Sequence, residues 1–313
     1  MMNFNTFNLV PVDPGFADAN SDFSNADYVI FGVPFDATAS HLSGAHRGPS
    51  GIREESYNFE TYLMDLDVEL EYLNICDLGD IGFENIESNQ ADILESVRAL
   101  TEYIMDKEKL PIIIGGEHSI SESSIDAFML KYGRLGGLAV IIDAHLDFRD
   151  EYMRNPHSHA CVTRRIVDRW GIDSVCLIGV RSGCRREVQK AREMGLRYFS
   201  SMDVRRNGIV EVLESLDTDI SIRDRPLYLS IDIDGIDPSQ APGTGTPEPW
   251  GLNSWDIRRM MDELKGQIVV MDVMEVSPKV EKYITPGLAG KLIRRLIGLK
   301  ETKVQHPGWL DKI

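Results

Sequence analysis

Residues 138–147 read LAVIIDAHLD, and this stretch decides the fold. Its first half is a short apolar run of β-formers, which reads as a buried parallel strand. Its second half alternates acid, imidazole and acid, with Asp143, His145 and Asp147 two residues apart. If extended geometry persists to the end of the run, successive side chains alternate, so these three project the same way, opposite to Ala144 and Leu146. A second comb of this kind lies in YLSIDIDGIDP, where an apolar run ends in Asp232 and Asp234 before Gly235 and Pro238 break the strand.

Outward from these combs, the chain alternates strand and helix signals. ADYVIFGVPFD reads as a buried strand, and HLSGAHRGPSGIREESYNFETYL as a loop feeding a helix, with Gly48 and Pro49 at the turn. A strand is expected from Leu70 to Cys76. A helix is expected after Ser88, where Ile93, Leu94, Val97, Leu100 and Ile104 share a face. LPIIIGG is the next strand, and it delivers Glu117, His118 and Ser119 just before a helical pattern. The strand, glycine turn and helix suggest a phosphate loop, but the lysine and spacing that such a loop needs are missing. His118 therefore belongs at the carboxyl end of a strand, where open α/β sheets place their ligands.

Further on come a helix around Ala160 to Trp170, the strand SVCLIGVRSG, more helix and strand through Leu216, and the strand PLYLSIDID. A helix near Ser254 to Leu264, a strand from Gln267 to Glu275 and a helix from about Gly287 complete the pattern. The expected architecture is an α/β, three-layer αβα sandwich with a mostly parallel central sheet. A single domain over residues 1–313 is expected, because no linker, repeat or low-complexity block divides the chain.

Fifty acids against 33 lysines and arginines give a net charge of −17. That sign repels phosphate backbones and anionic lipid and tolerates cationic ligands, so neither nucleic acid nor membrane is an expected partner. The four cysteines, Cys76, Cys161, Cys176 and Cys184, are widely spaced and form no CxxC, which fits a reducing cytoplasm better than a disulfide framework. No leader is legible in MMNFNTFN, and no apolar stretch approaches bilayer length.

Any one of the site residues has an ordinary structural explanation, such as an Asp capping a helix or a His satisfied by a hydrogen bond. Together they do not. Three strand ends deliver His118, Asp143, His145, Asp147, Asp232 and Asp234, and four carboxylates clustered without cations would be electrostatically very costly. Two divalent ions would neutralise them. With two imidazoles and no thiolate, the set suits Mn²⁺ first, with Fe²⁺, Co²⁺, Ni²⁺ or Zn²⁺ compatible. Two ions roughly 3.5–4 Å apart can share and activate a water, which implies metal-assisted hydrolysis.

The sequence resembles the ureohydrolases, the family of arginase and agmatinase. GGEHS at 115–119, DAHLD at 143–147 and SIDIDGIDPSQAPGTGTPEP at 230–249 look like its three signature blocks, and VPFD, GVRSG and MEVSP extend the similarity over most of the chain. The resemblance implies an arginase-like αβα sandwich, a binuclear manganese centre and hydrolysis of a guanidino group to urea and an amine. It implies that His118, Asp143, Asp147 and Asp232 bind one ion and His145, Asp143, Asp232 and Asp234 the other. It further implies that Asp147 accepts a hydrogen bond from the attacking hydroxide, that His159 shuttles protons to the leaving group, and that Glu275 orients the guanidinium. A histidine and a carboxylate suit the last two tasks. His157 stands two residues from His159, but the SHA context favours His159.

Where arginases hold the α-carboxylate and α-amine of arginine, this chain has Arg149 and Ser182, and the lost acid weakens the case for arginine. DFRDEY and SHACVTRRI look like the agmatinase branch, so agmatine is the expected substrate. Aminopropylagmatine, guanidinobutyrate and guanidinopropionate are alternatives. Trp250 stands where the pattern places Gly and would either reshape the pocket mouth or pack against its loop. Leu146 replaces a Thr, and His46 and Arg47 depart from the usual GARFGP. The resemblance also implies a trimer or hexamer. A single-zinc deacetylase would not need His118 and Asp147, and a silent binding relative would have lost ligands.

Overall fold

The computed structural model describes residues 7–82, 90–133 and 136–303, so both ends of the expected domain lie outside the described residues. In chain order the elements are β1 (Leu9–Val10), β2 (Tyr28–Val33), α1 (Gly48–Ser56), β3 (Tyr62–Leu63), β4 (Val68–Glu69), β5 (Ile75–Ile81), α2 (Gln90–Asp106) and β6 (Leu110–Gly115). Then come α3 (Ser121–Tyr132), β7 (Leu138–Ile142), α4 (Val162–Trp170), β8 (Val175–Val180), α5 (Arg185–Met194), β9 (Arg197–Ser200), α6 (Ser201–Asn207) and α7 (Ile209–Ile220). The last are β10 (Leu227–Asp232), α8 (Ser254–Leu264), β11 (Ile268–Met274) and α9 (Ile284–Glu301).

Nine strands form one sheet in the order β1-β5-β2-β6-β11-β10-β7-β8-β9. Every neighbouring pair is parallel except β1 with β5 at one edge. A parallel sheet is covered on both faces, and strand residues here alternate between two apolar layers. Ile112, Val140, Leu229 and Met271 pack with Ile52, Val204, Val212, Ile257 and Leu292 from α1 and α6–α9. Ile113, Ile141, Tyr228 and Val270 face the opposite way, toward Val97, Phe128, Ile166 and Ala191 from α2–α5. The result is the three-layer αβα sandwich expected from the alternation of strand and helix signals.

Three local expectations shift. The strand expected at Leu70–Cys76 lies at Ile75–Ile81, and Leu70–Tyr72 forms a 3₁₀ turn instead. An apolar-run argument misses this strand because it carries Asp77 and Asp80 inside the fold. Both face Arg53 of α1, which is 1% exposed and donates to Asp77 Oδ2 at 2.8 Å and Asp80 Oδ1 at 2.6 Å. Secondly, neither comb is a strand alternation: β7 ends at Ile142, before Asp143, and β10 ends at Asp232, before a 3₁₀ turn over Ile233–Gly235. Thirdly, the last helix begins at Ile284, a few residues ahead of Gly287.

The strands that matter for the site are neighbours. β6, β11, β10 and β7 stand side by side and run parallel, so their carboxyl ends open on one edge of the sheet. Replacing Arg53 by Met should cost about 3–5 kcal/mol, because it strands two carboxylates inside the fold. Denaturant unfolding checks this, and a loss under about 1 kcal/mol would mean that the Arg53 cluster is not what seats α1 on β5.

Candidate metal centre

Each donor arrives by a turn at a strand end. After β7, the His145 N–H donates to Asp143 Oδ1 at 2.6 Å, and Asp147 takes a left-handed backbone with φ of 47°. After β10, the Asp234 N–H donates to Asp232 Oδ1 at 3.0 Å, and Asp234 Oδ1 accepts from the Ala144 N–H at 3.1 Å. The two turns are thus tied to each other. Their approach needs Gly235, since a Cβ there would lie 2.8 Å from Ile142 Cγ2 and 2.9 Å from the Asp143 nitrogen. The turns achieve the convergence that a simple strand alternation would not, and Ala144 and Leu146 are buried away from it.

Two sets of donors result. His118 Nδ1 lies 3.1, 3.3 and 3.2 Å from carboxylate oxygens of Asp143, Asp147 and Asp232. His145 Nδ1 lies 3.5 Å from Asp143 Oδ1 and 3.1 Å from Asp234 Oδ2. Asp143 therefore faces both imidazoles, one oxygen to each. The separations are within ion-pair reach, yet His118 Nδ1 and Asp143 Oδ2 are buried without a hydrogen-bond partner. Distances near 3 Å between donor atoms suit ligands around a common ion with bonds of roughly 2.1 Å. Two groups, His118 with Asp143 and Asp147, and Asp143 with His145 and Asp234, could each hold an ion.

Hydrogen bonds behind His118 leave its Nδ1 free for that purpose. Ser230 Oγ donates to Asp272 Oδ1 at 2.7 Å, so at 3.1 Å it accepts from His118 Nε2–H. Asp272 is wholly buried and also takes the hydroxyls of Ser121 and Tyr228. Outer contacts of this kind fix a ligand's tautomer and ring orientation.

The electrostatics call for positive charge. Burial, then Asp234 and Asp143, lift Asp232 well above the usual carboxylate range, and burial with Asp143 pushes Asp147 up to about 7. Burial opposes charging of the imidazoles, yet the surrounding carboxylates outweigh it and drive both His118 and His145 strongly upward. A divalent ion in each set would supply the charge while leaving the imidazole nitrogens as donors. The buried orphaned atoms and the carboxylate-rich donor set fit such ions.

Above these donors lies a cavity of about 270 Å³, lined by His145, Asp147, Asp232, Asp234, Glu275 and His159 together with Arg149, Ser182, Cys184 and Glu187. Glu275 follows β11 with φ of 62°, and its Oε1 accepts from the His118 N–H at 2.8 Å. It keeps part of its surface open to the cavity, while burial and then Glu117 push it up to about 8. His159 opens the 3₁₀ turn ahead of α4, and burial followed by the His118 and His145 charges lowers it to about 4. His157 instead points outward to Glu122 at 3.0 Å. Arg149 stacks on Tyr152, 4.6 Å from the ring centroid, and its Nε meets Glu187 Oε2 at 3.4 Å. Ser182 donates to Glu248 at 2.8 Å.

Trp250 departs from expectation. It is 85% exposed with φ of 64°, and it neither lines the cavity nor buries its ring against the loop. A position shaped for Gly has simply turned the ring outward. His46 pairs with Asp36 at 2.8 Å and Arg47 leads into α1, both outside the cavity lining. Sequence reading missed Asp272, whose signal was a lone acid within the apolar run VVMDVM. It also missed Glu187, which caps α5 through the Cys184 N–H and accepts from the Phe148 N–H at 2.9 Å; nothing in the local sequence marks it.

The fold and the acid-imidazole site define a hydrolase acting on guanidino compounds once relatives are considered. The Arginase family model matches residues 26–298, and the chain belongs to that family. It is 36% identical over 281 residues to an agmatinase of Pyrococcus horikoshii, covering 89% of this chain and 93% of that one. It is equally 36% identical over 277 residues to an N(1)-aminopropylagmatine ureohydrolase of Thermococcus kodakarensis, covering 87% and 90%. The crystal structure of agmatine ureohydrolase of Thermoplasma volcanium superposes with a TM-score of 0.85 at 36% identity, covering 93% of this chain and 96% of that one.

Replacing Asp234 by Ala should remove a donor of the His145 set and leave the His118 set whole. Metal analysis after loading and desalting should then fall from two ions per chain to one, whereas unchanged content would remove Asp234 from the ligands.

Proposed function

We propose that the protein is a binuclear manganese ureohydrolase that converts agmatine to urea and putrescine. The observation that carries this reading is the cavity whose floor is the His/Asp cluster and whose wall is Glu275. A carboxylate there can meet a guanidinium with paired hydrogen bonds. His118, Asp143, Asp147 and Asp232 would hold one ion, and His145, Asp143, Asp232 and Asp234 the other. Ions so placed supply activation of water at neutral pH. Manganese is favoured by the hard, thiolate-free donor set.

In the reaction, water oxygen adds to the guanidinium carbon, the bond from that carbon to the substrate's chain nitrogen breaks, and the departing amine must gain a proton. Glu275 orients the guanidinium. Asp147, reaching the same cavity from its left-handed turn, takes the proton released by the attacking water. His159, across the cavity, carries a proton between the leaving amine and solvent. The protein is further proposed to act in the cytoplasm as one domain over residues 1–313, assembled as a homotrimer or hexamer. Among the described residues no helix is long and apolar enough to cross a membrane.

Agmatine is favoured over arginine because Ser182 and Arg149 stand where arginases recognise the amino-acid end. Aminopropylagmatine is a second reading, supported by the Thermococcus relative and by a surface depression of about 710 Å³ that shares Arg149, Cys184 and Glu187 with the cavity. Glu151 and Glu193 there offer carboxylates to an additional amine, alongside Asp150, which pairs with Arg164, and the cations Arg186 and Lys190.

Urea release from agmatine, aminopropylagmatine, guanidinobutyrate, guanidinopropionate and arginine decides the substrate. A kcat/KM for agmatine above the others supports the first reading, an advantage for aminopropylagmatine the second, and no urea from any substrate with both ions bound contradicts the function. Replacing His159 by Phe should lower kcat by about 10²–10⁴ at unchanged metal content. Loss of metal would instead mean that His159 is a ligand.

A further inference from the structure

Thr38, in the loop after β2, joins two groups that no sequence motif links. Its Oγ1 lies 2.6 Å from Glu117 Oε1 and 3.1 Å from His159 Nδ1, and it accepts from the His159 backbone N–H at 3.0 Å. The Thr38 N–H donates to Glu117 Oε2 at 2.7 Å. The contact is built in by the glycine turn after β6: a Cβ on Gly116 would stand 1.9 Å from the Phe35 carbonyl oxygen, and the Glu117 N–H donates to that same oxygen at 2.7 Å.

A hydroxyl has one proton and two lone pairs, so three partners settle its orientation. The His159 backbone N–H can only donate and fills one lone pair. Glu117, fully buried, gathers donors from the Thr38 N–H and the Ser119 hydroxyl as well, and it makes the shortest of the three contacts to Thr38 Oγ1. The Thr38 proton therefore points at Glu117. The lone pair that remains faces His159 Nδ1, which must donate. Ser158 Oγ is the more distant neighbour of Nδ1, at 3.4 Å against 3.1 Å for Thr38 Oγ1, so the Thr38 contact sets the proton; Ser158 Oγ also accepts from the Ala160 N–H. Neutral His159 then carries its proton on Nδ1 and keeps the Nε2 lone pair, 3.4 Å from Ser40 Oγ, which lines the cavity.

We propose that Thr38, anchored by Glu117, is a positioning residue that holds His159 in the Nδ1–H tautomer and leaves Nε2 to exchange protons in the cavity. This rests on the reading of His159 as the residue that carries a proton to the leaving amine. A histidine held in the wrong tautomer cannot accept at the working nitrogen, a fault that can cost orders of magnitude in turnover. Thr38 itself is absent from the cavity lining, so substrate binding should not depend on it.

The test uses the metal-loaded enzyme and whichever guanidino substrate releases urea fastest. Thr38→Val keeps the shape and removes the hydroxyl, and Thr38→Ser against Thr38→Ala isolates the same oxygen should the valine variant fold poorly. The expected result is a kcat lowered at least about tenfold in Thr38→Val and Thr38→Ala, with KM within about twofold, metal content unchanged and Thr38→Ser close to the parent. In a His159→Phe background, Thr38→Val should cause no further loss, because the two act as one unit. A full kcat without the hydroxyl, equal impairment in the serine and alanine variants, or the same fold-loss in the His159→Phe background would overturn the proposal. If His159→Phe alone leaves kcat intact, it is the role of His159 that fails.

Discussion

Mutual repulsion among Asp143, Asp147, Asp232 and Asp234 is the constraint on which the rest depends. Two like charges about 4 Å apart cost roughly 4 kcal/mol even at an effective dielectric of 20, and here four carboxylates share a buried pocket with two imidazoles. Protonation can relieve part of that cost, as the upward shifts of Asp147 and Asp232 indicate. Cations relieve it without spending the donors. The sheet makes the crowding unavoidable, because β6, β11, β10 and β7 are neighbours and all end on one edge.

The structure around the cluster absorbs its costs. Asp147 and Glu275 both adopt left-handed backbone, at roughly 1–3 kcal/mol each. The Glu275 N–H donates to the Gly116 oxygen, and its side chain accepts from the His118 N–H, so β6 and β11 hold each other's termini. Arg181 performs the equivalent task on the other side. Its guanidinium donates to the carbonyls of Gly179, Asp234, Gly235, Glu248 and Pro249, binding the β8 end to the loop after β10. Ser230 and Asp272 set the ring of His118 from behind, and Thr38 with Glu117 meets the ring of His159 from the side. His118 and His159 are thus each met by a hydroxyl that leans on a buried carboxylate.

Much of this was legible from residue order. Apolar runs ending in acids located β7 and β10, because a strand covered on both faces needs a continuous apolar sequence and its carboxyl end does not. The same logic failed for β5, whose Asp77 and Asp80 answer a cation on α1 that is distant in sequence. The residues of the combs do converge, but by another mechanism than strand alternation: turns and the close approach at Gly235 bring them together. Local context chose His159 over His157, and the structure places the former at the cavity and the latter on Glu122. Trp250 could not be resolved that way, since only the backbone path shows that its ring turns outward. Thr38 and Glu187 reach His159 and Phe148 through long-range contacts that no local pattern encodes, and Asp272 left only the trace of a lone acid in an apolar run.

The central claim is that this cluster binds two ions side by side. Anomalous diffraction recorded at the manganese absorption edge, on crystals grown with Mn²⁺, tests it directly. Two peaks are predicted, one bordered by His118 and the other by His145, with Asp143 and Asp232 touching both. A single peak, or none, with the four carboxylates still gathered would contradict the account.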